Sequence, residues 1–223
     1  MQLSVQVFNM PVFLKKELST VGEIGLWKIS EDESYFLDRL VLYSHEKEFL
    51  ASLKGKRKLE YLASRYLLHL MSGREVRGAC LKDEFGKPYL ENSEYHISFS
   101  HSSDMVAVIG SPHVVGIDIQ KYVEKIDRIK HKFLSETELE FLQGNFKKEK
   151  LHILWGAKES LYKAYGRKKV EFREHLAIEE FQWDGFTANF EGHIKIGDHN
   201  SLHDIFALEL DDFMLVYSIL KEK

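Results

Sequence analysis

The chain holds one cysteine in 223 residues, so Cys80 has no partner for an internal disulfide, which is compatible with a reducing cytosol. No apolar run approaches the roughly 20 residues that span a bilayer. A charged-then-apolar leader is missing too: Met1 to Val7 alternates as a strand does, and Lys15 and Lys16 follow the apolar residues instead of preceding them. The expectation is a soluble, cytoplasmic protein with no membrane partner. Excess positive charge is likewise absent, since 31 Lys and Arg against 35 Asp and Glu leave a formal charge of -4; this argues against nucleic acid as a partner. Internal repeats and low-complexity stretches are not found. What the chain does have is 44% hydrophobic residues, enough for a sizeable core in one compact domain or two small ones.

Periodicity predicts strands near residues 3–9 and 22–30, a helix near 31–42 and a long helix over about 46–72. In that long helix Leu59, Leu62, Ala63, Tyr66, Leu67 and Leu70 recur at helical spacing, and Gly73 closes it. Strands near 95–100 and 104–110 follow, and Pro112 interrupts the pattern, which places a domain boundary near residue 113. The second half, 114–223, begins with a strand around Asp118 and continues through helices at about 135–145 and 148–165. It ends in strands near 178–183, 186–191, 204–210 and 213–220, the last two forming a hairpin around Asp211-Asp212. Strands and helices recur in both halves, an α+β pattern.

Two segments carry chemistry. In Trp155-Gly156-Ala157-Lys158-Glu159-Ser160-Leu161-Tyr162-Lys163, the spacing puts Trp155, Glu159 and Lys163 on one helix face. In Val115-Gly116-Ile117-Asp118-Ile119-Gln120, a strand would turn Asp118 and Gln120 to one side and Val115, Ile117 and Ile119 to the other. Two carboxylates from separate elements could thus meet over a hard cation. Alone, neither piece is specific: a Glu four residues before a Lys is commonly a surface pair contributing about 0.2 to 0.5 kcal/mol. Two further segments precede them, Asp83-Glu84-Phe85-Gly86-Lys87-Pro88-Tyr89 and Ile97-Ser98-Phe99-Ser100-His101-Ser102.

In this order and spacing, Gly86-Lys87-Pro88, Ser100-His101-Ser102, Gly116-Ile117-Asp118 and Trp155 through Lys163 resemble the motifs of the 4'-phosphopantetheinyl transferases, specifically the longer surfactin-synthetase-activating (Sfp) type. The matching segments run from about Phe85 to Gly166. The resemblance implies two similar α/β subdomains in a pseudo-twofold arrangement, each a small, mainly antiparallel sheet packed with a long helix. Residues 1–113 would be the coenzyme A-binding half. Residues 114–223 would carry the metal site, the catalytic helix and the carrier-protein docking surface. A chain with both halves would work as a monomer.

The activity implied is magnesium-dependent transfer of the phosphopantetheine arm of coenzyme A to a serine of an apo acyl or peptidyl carrier protein, releasing adenosine 3',5'-bisphosphate. By resemblance the catalytic residues are Glu159, Lys163 and Asp118. Asp118 and Glu159 would ligate magnesium, Glu159 would also take the serine proton, and Lys163 would neutralise the leaving diphosphate. Gly116 would let the diphosphate approach the strand. Coenzyme A would be met by Phe85, Gly86 and Lys87 at the adenine and ribose, by Lys82 more weakly, and by Ser100, His101 and Lys158 at phosphates. Arg57, from the run Lys54, Lys56, Arg57, Lys58, would face the 3'-phosphate, although a solvated helix face explains such a run equally well.

Three positions stay open. Many members of the family carry Glu where this chain has Gln120; an amide brings no negative charge, so Gln120 is a doubtful metal ligand and free magnesium should bind more weakly. Glu138 matches a residue linked to acid-base chemistry in the family, yet Ser135 and Glu138 spell a capping box, and the structural role comes first. Arg167-Lys168-Lys169 would dock an acidic carrier helix, or simply offset the helix dipole after Tyr165. Two other functions remain: a non-catalytic coenzyme A or phospho-ligand binding protein with a degraded metal site, and a magnesium-dependent nucleotide-diphosphate hydrolase.

Overall fold

The computed structural model describes residues 12–18 and 22–222; the strand expected at 3–9 lies outside them. The chain divides into two compact units. One runs up to Lys82 and takes in Pro88–Pro112; the other comprises Asp83–Lys87 and His113 onward. Among the described residues no helix is long and apolar enough to cross a membrane.

The first unit contains β1 (Val12–Glu17), β2 (Glu23–Lys28), α1 (Glu33–Leu37), α2 (Ser44–Ser52), α3 (Lys56–Ser72), β3 (Cys80–Lys82), β4 (Pro88–Leu90), β5 (His96–Ser102) and β6 (Met105–Ser111). Its sheet runs β1-β2-β6-β5-β4-β3, with neighbouring strands antiparallel. Every residue of β6 is buried, as expected of a central strand under a helix. Leu62, Ala63 and Leu67 of α3 meet Trp27, Ile97, Val106 and Val108 in one core. The continuous helix expected over 46–72 is in fact two. Leu53 is extended and Gly55 has φ +53°, a region that residues with a Cβ avoid, so α2 stops and α3 starts afresh. Gly73, at φ +60°, closes α3 as its sequence predicts.

The second unit contains β7 (Val115–Lys121), α4 (Ile126–Ile129), α5 (Glu136–Glu140), α6 (Lys147–Tyr165), α7 (Phe172–His175), β8 (Leu176–Ile178), β9 (Thr187–Ile196), β10 (His199–Leu210) and β11 (Phe213–Leu220). Its sheet is again antiparallel, in the order β7-β11-β10-β9-β8. The expected hairpin at Asp211-Asp212 is present, pairing Leu210 with Phe213. A second tight hairpin, Ile196 opposite His199 across Gly197-Asp198, extends β9 and β10 beyond the expected ranges. His193 and Lys195 alternate with Ile194 and Ile196, but Asp198-His199-Asn200-Ser201 is an unbroken polar run, a weak strand signal until that pairing is made. Each unit is thus an antiparallel sheet with one long helix upon it, an α+β fold.

Helix α6 lies very close to β7. A Cβ added at Gly116 would stand 1.8 Å from the carbonyl oxygen of Ser160 and 2.8 Å from the nitrogen of Ala164. Gly116 is therefore needed for contact between strand and helix backbone, which corrects the expectation that its bareness serves a diphosphate. At Gly156 the added Cβ would meet Val216 Cγ2 at 2.7 Å and Val216 Cβ at 3.0 Å, a looser contact that involves side-chain atoms and no backbone. Gly116→Ala should lower the unfolding free energy by about 3 kcal/mol and Gly156→Ala by about 1 kcal/mol. Urea denaturation of both variants checks the order; equal losses would refute the close backbone contact.

Candidate active site

Strand β7 turns Gly116, Asp118 and Gln120 toward α6, while Val115, Ile117 and Ile119 are fully buried on its other face. On α6 the four-residue spacing stacks Glu159 one turn before Lys163. The Lys163 ammonium donates to Asp118 Oδ1 at 2.8 Å and to the carbonyl of Ile117 at 2.8 Å. Glu159 is half-buried beside them. Burial and the charge of Asp118 push its carboxyl up to about 7, with Lys163 opposing. Asp118, Glu159 and Lys163 therefore form one electrostatic cluster: helical spacing stacks Glu159 and Lys163, and the packing of β7 against α6 brings Asp118 to them. Trp155 does not join it; its ring packs against Phe133 at 4.9 Å and Phe172 at 6.0 Å.

Gln120 donates from Nε2 to the carbonyl of His152 at 2.8 Å. Since a carbonyl only accepts, the amide is oriented by that bond and ties β7 to α6. His152 itself is fully buried, donates from Nδ1 to the Lys148 carbonyl at 2.7 Å and accepts at Nε2 from Val123 N at 3.0 Å. Burial lowers its pKa and keeps the ring neutral. This second tie between the end of β7 and α6 has no motif to announce it. Among the described residues no group of three or more His, Cys, Asp or Glu converges on a metal site. Two carboxylates beside one ammonium nevertheless carry excess negative charge, and burial first, then the Asp118 charge, raises the Glu159 carboxyl. Such a donor pair fits a hard divalent cation with most of its shell open.

Residues 114–210, which include this cluster, match the family model described as the 4'-phosphopantetheinyl transferase superfamily. Over those residues the chain is similar to that superfamily. A 4'-phosphopantetheinyl transferase gsp of Aneurinibacillus migulanus is 33% identical over 130 residues, covering 57% of this chain and 53% of that protein. The chain thus spans about half the length of the curated relative it matches. A crystal structure of the Thermotoga maritima holo-[acyl-carrier-protein] synthase overlaps with a TM-score of 0.34 at 17% identity, covering 49% of this chain and 63% of that one, too slight a likeness to bear on the fold.

The motif lysines are used unequally. Lys158, expected at a phosphate, is fully buried. Its ammonium pairs with Glu138 Oε2 at 2.7 Å and donates to the carbonyls of Leu176 at 2.7 Å and Phe172 at 3.1 Å. Burial lowers its pKa and the Glu138 charge counteracts this. No donor is left for a ligand, so the expected phosphate contact is replaced by a buried ion pair joining α6, α5 and β8. Glu138 forms the anticipated capping box, with Ser135 N donating to its Oε2 at 2.8 Å, and Ile178 N donates to its Oε1 at 3.0 Å.

In the second unit's loop, Asp83 Oδ1 accepts from Phe85 N at 2.9 Å and Lys87 N at 2.8 Å, and Gly86 takes φ +92°. Lys87 donates to the Ala164 carbonyl at 2.5 Å, and burial lowers its pKa. The lysine expected beside adenine and ribose is thus a cap on the C-terminal turn of α6, where a cation is favoured. Arg167 lies 5.2 Å over the exposed ring of Phe85. In the first unit, Arg57 is exposed in the first turn of α3, Lys82 is exposed at the end of β3, and Ser100 is buried on β5. The exposed His101 has Nδ1 3.2 Å from Glu60 Oε2, a partner set by the register of α3.

Glu159 makes stability depend on pH. With its folded pKa near 7 against an ordinary 4.5, the folded chain binds this proton more tightly than the unfolded chain. The resulting stabilisation is complete below about 4.5 and lost as pH rises through about 7. In EDTA, the thermal midpoint of the wild type relative to Glu159→Gln should fall between pH 5 and 8, by direct comparison of melting curves; a constant difference would exclude the raised carboxyl. Lys158→Met strands the buried Glu138 charge and should cost about 3 to 5 kcal/mol. Adding Glu138→Leu should recover part of that loss in urea denaturation, less the capping bond at Ser135.

Proposed function

We propose that this chain transfers the 4'-phosphopantetheine moiety of coenzyme A to a serine of an apo acyl or peptidyl carrier protein, releasing adenosine 3',5'-bisphosphate, as an enzyme of the surfactin-synthetase-activating type. The observation that carries this reading is the cluster of Asp118, Glu159 and Lys163, with the Glu159 carboxyl held near 7. A carboxyl at that value can accept a proton from a serine hydroxyl at neutral pH and pass it on, the condition for general base catalysis. Lys163 stands one turn away, its ammonium at Asp118, where it can balance charge gathering on a leaving diphosphate. Magnesium held by Asp118 and Glu159 would supply a Lewis acid on the pyrophosphate. Gln120 contributes by fixing β7 against α6 rather than by adding a third charge.

Coenzyme A would be met by Phe85 and Gly86 in the second unit and by Arg57, Lys82, Ser100 and His101 in the first. Protonated His101 can donate a charge-assisted hydrogen bond to a phosphate. Lys158 has no part in this, because its donors are used internally, and Lys87 acts by holding the end of α6. Arg167, Lys168 and Lys169 are exposed just past α6 and fit the acidic surroundings of a carrier serine, which would raise the encounter rate. The working form in this reading is a cytoplasmic monomer.

The test is incubation with coenzyme A, magnesium and a purified apo acyl carrier protein, followed by intact-protein mass spectrometry of the carrier. A gain of one phosphopantetheine, abolished by EDTA and by Glu159→Ala, is the expected result. No gain across several apo carriers, with coenzyme A still bound, would favour the binding-only function instead.

A further inference from the structure

A cavity of about 290 Å³ opens in the first unit between the C-terminal turn of α3 and the sheet. Its origin is a matter of register. Glu23 of β2 and Ile97 of β5 stand on either side of Gly110 in β6, and directly opposed residues project to one face. A position without a side chain therefore separates a carboxylate from an aliphatic group. A Cβ added at Gly110 would meet only Tyr95 Cδ1, at 3.8 Å, so the space beside it is open. The Tyr95 ring that borders this space is 49% exposed, whereas Leu68, Met71 and Leu90 are buried and form an apolar wall. Arg74 completes the lining.

Both charged groups are incompletely matched by the chain. Arg74 donates from Nη1 to the Glu91 carbonyl at 3.0 Å and from Nη2 to the Asn92 carbonyl at 2.7 Å. Each of these nitrogens has a second proton, and among the described residues Arg74 has no carboxylate partner. Glu23 Oε2 is buried and accepts no hydrogen bond, although the partly exposed Lys15 ammonium is 3.0 Å away. An exposed pair of this kind contributes little and is readily exchanged. An acid and a guanidinium in one small, largely apolar cavity fit a zwitterion, and the volume is at the low end for ligand pockets. We propose that the cavity binds a free α-amino acid with an aliphatic side chain. Glu23 and the face of Tyr95 meet its ammonium, Arg74 its carboxylate, and the wall of Leu68, Met71 and Leu90 its side chain. The site does not rest on the transfer reaction, and none of its residues is among those proposed for coenzyme A or the carrier protein. A purely structural account has Arg74 hold the turn at residues 91–92 and Glu23 pair with Lys15. That account leaves Oε2 without a donor and the space beside Gly110 unfilled.

Met71 is the methionine of the lining, so its methyl group reports on the cavity. The test is nuclear magnetic resonance of the full chain, its five methionines labelled with ¹³C at the methyl, titrated with L-leucine. Parallel titrations use 3-methylbutylamine, which lacks the carboxylate, and 4-methylpentanoate, which lacks the ammonium. Expected is a saturable shift of the Met71 signal alone, half complete below about 10 mM leucine, with each analogue at least about tenfold weaker. Glu23→Gln should weaken leucine about tenfold and leave 4-methylpentanoate unchanged, and Arg74→Gln should weaken leucine while sparing the amine. Gly110→Ala places a methyl in the open space; it should weaken leucine at least about threefold without lowering the urea midpoint. If circular dichroism shows Arg74→Gln to be unfolded, the other two variants decide. The proposal is overturned by no saturable shift up to about 10 mM, by equal shifts of all the methionine signals, or by binding that Glu23→Gln and Gly110→Ala leave unchanged. Amine binding as tight as that of leucine overturns it equally, because Glu23 would then be a site for cations alone.

Discussion

The approach of α6 to β7 over Gly116 is the constraint from which the candidate site follows. Because that position has no side chain, helix and strand backbones meet, and every later register position inherits the short separation. Asp118, two residues along the strand, comes within 2.8 Å of the Lys163 ammonium, and Gln120, two further, reaches the carbonyl of His152 on the same helix. A larger residue at position 116 would lift α6 and open both bonds at once. The raised carboxyl of Glu159 has the same origin, since the close approach both buries it and holds it near Asp118. Geometry and electrostatics at this site are therefore one consequence of packing, not separate features.

Helix phase then decides what each cation on and around α6 does. Lys158 and Lys163 are five residues apart, which at 3.6 residues per turn turns them to different sides of the helix. Lys163 faces β7 and stays at the site, whereas Lys158 points into the core and is matched there by Glu138 and two carbonyls. Lys87 arrives from a loop and closes the last turn through Ala164. Each of these three ammonium groups is accounted for by a carboxylate or by helix carbonyls.

Several features are legible in the amino-acid sequence because they depend only on residues close to one another along the chain. Ser135 and Glu138 cap α5 as their spacing says, Gly73 ends α3, and Asp211-Asp212 turns the last hairpin. That Asp118 and Gln120 share a strand face, and Glu159 and Lys163 a helix face, is also visible there, since period two and period 3.6 fix which side chains share a face; that the two faces meet is not. The break at Gly55 is not, because apolar residues on both sides keep helical spacing and only the backbone angle interrupts it. Nor is the extension of β9 and β10, whose polar residues become strand only through pairing with each other.

By itself, then, the sequence determined the local elements, the faces they present and the identity of the chemical groups at the site. Tertiary structure alone decided how those groups are used: that Gly116 serves a helix and not a ligand, that Lys158 is internal, and that Lys87 caps α6. The physical reason is that periodicity and capping act within a few residues, whereas burial, desolvation and ion pairing depend on partners brought together from distant parts of the chain. Lys158 and Glu138 are 20 residues apart, and Lys87 and Ala164 are 77 apart. No spacing rule within either segment encodes such a meeting; it exists only once the core has closed around it.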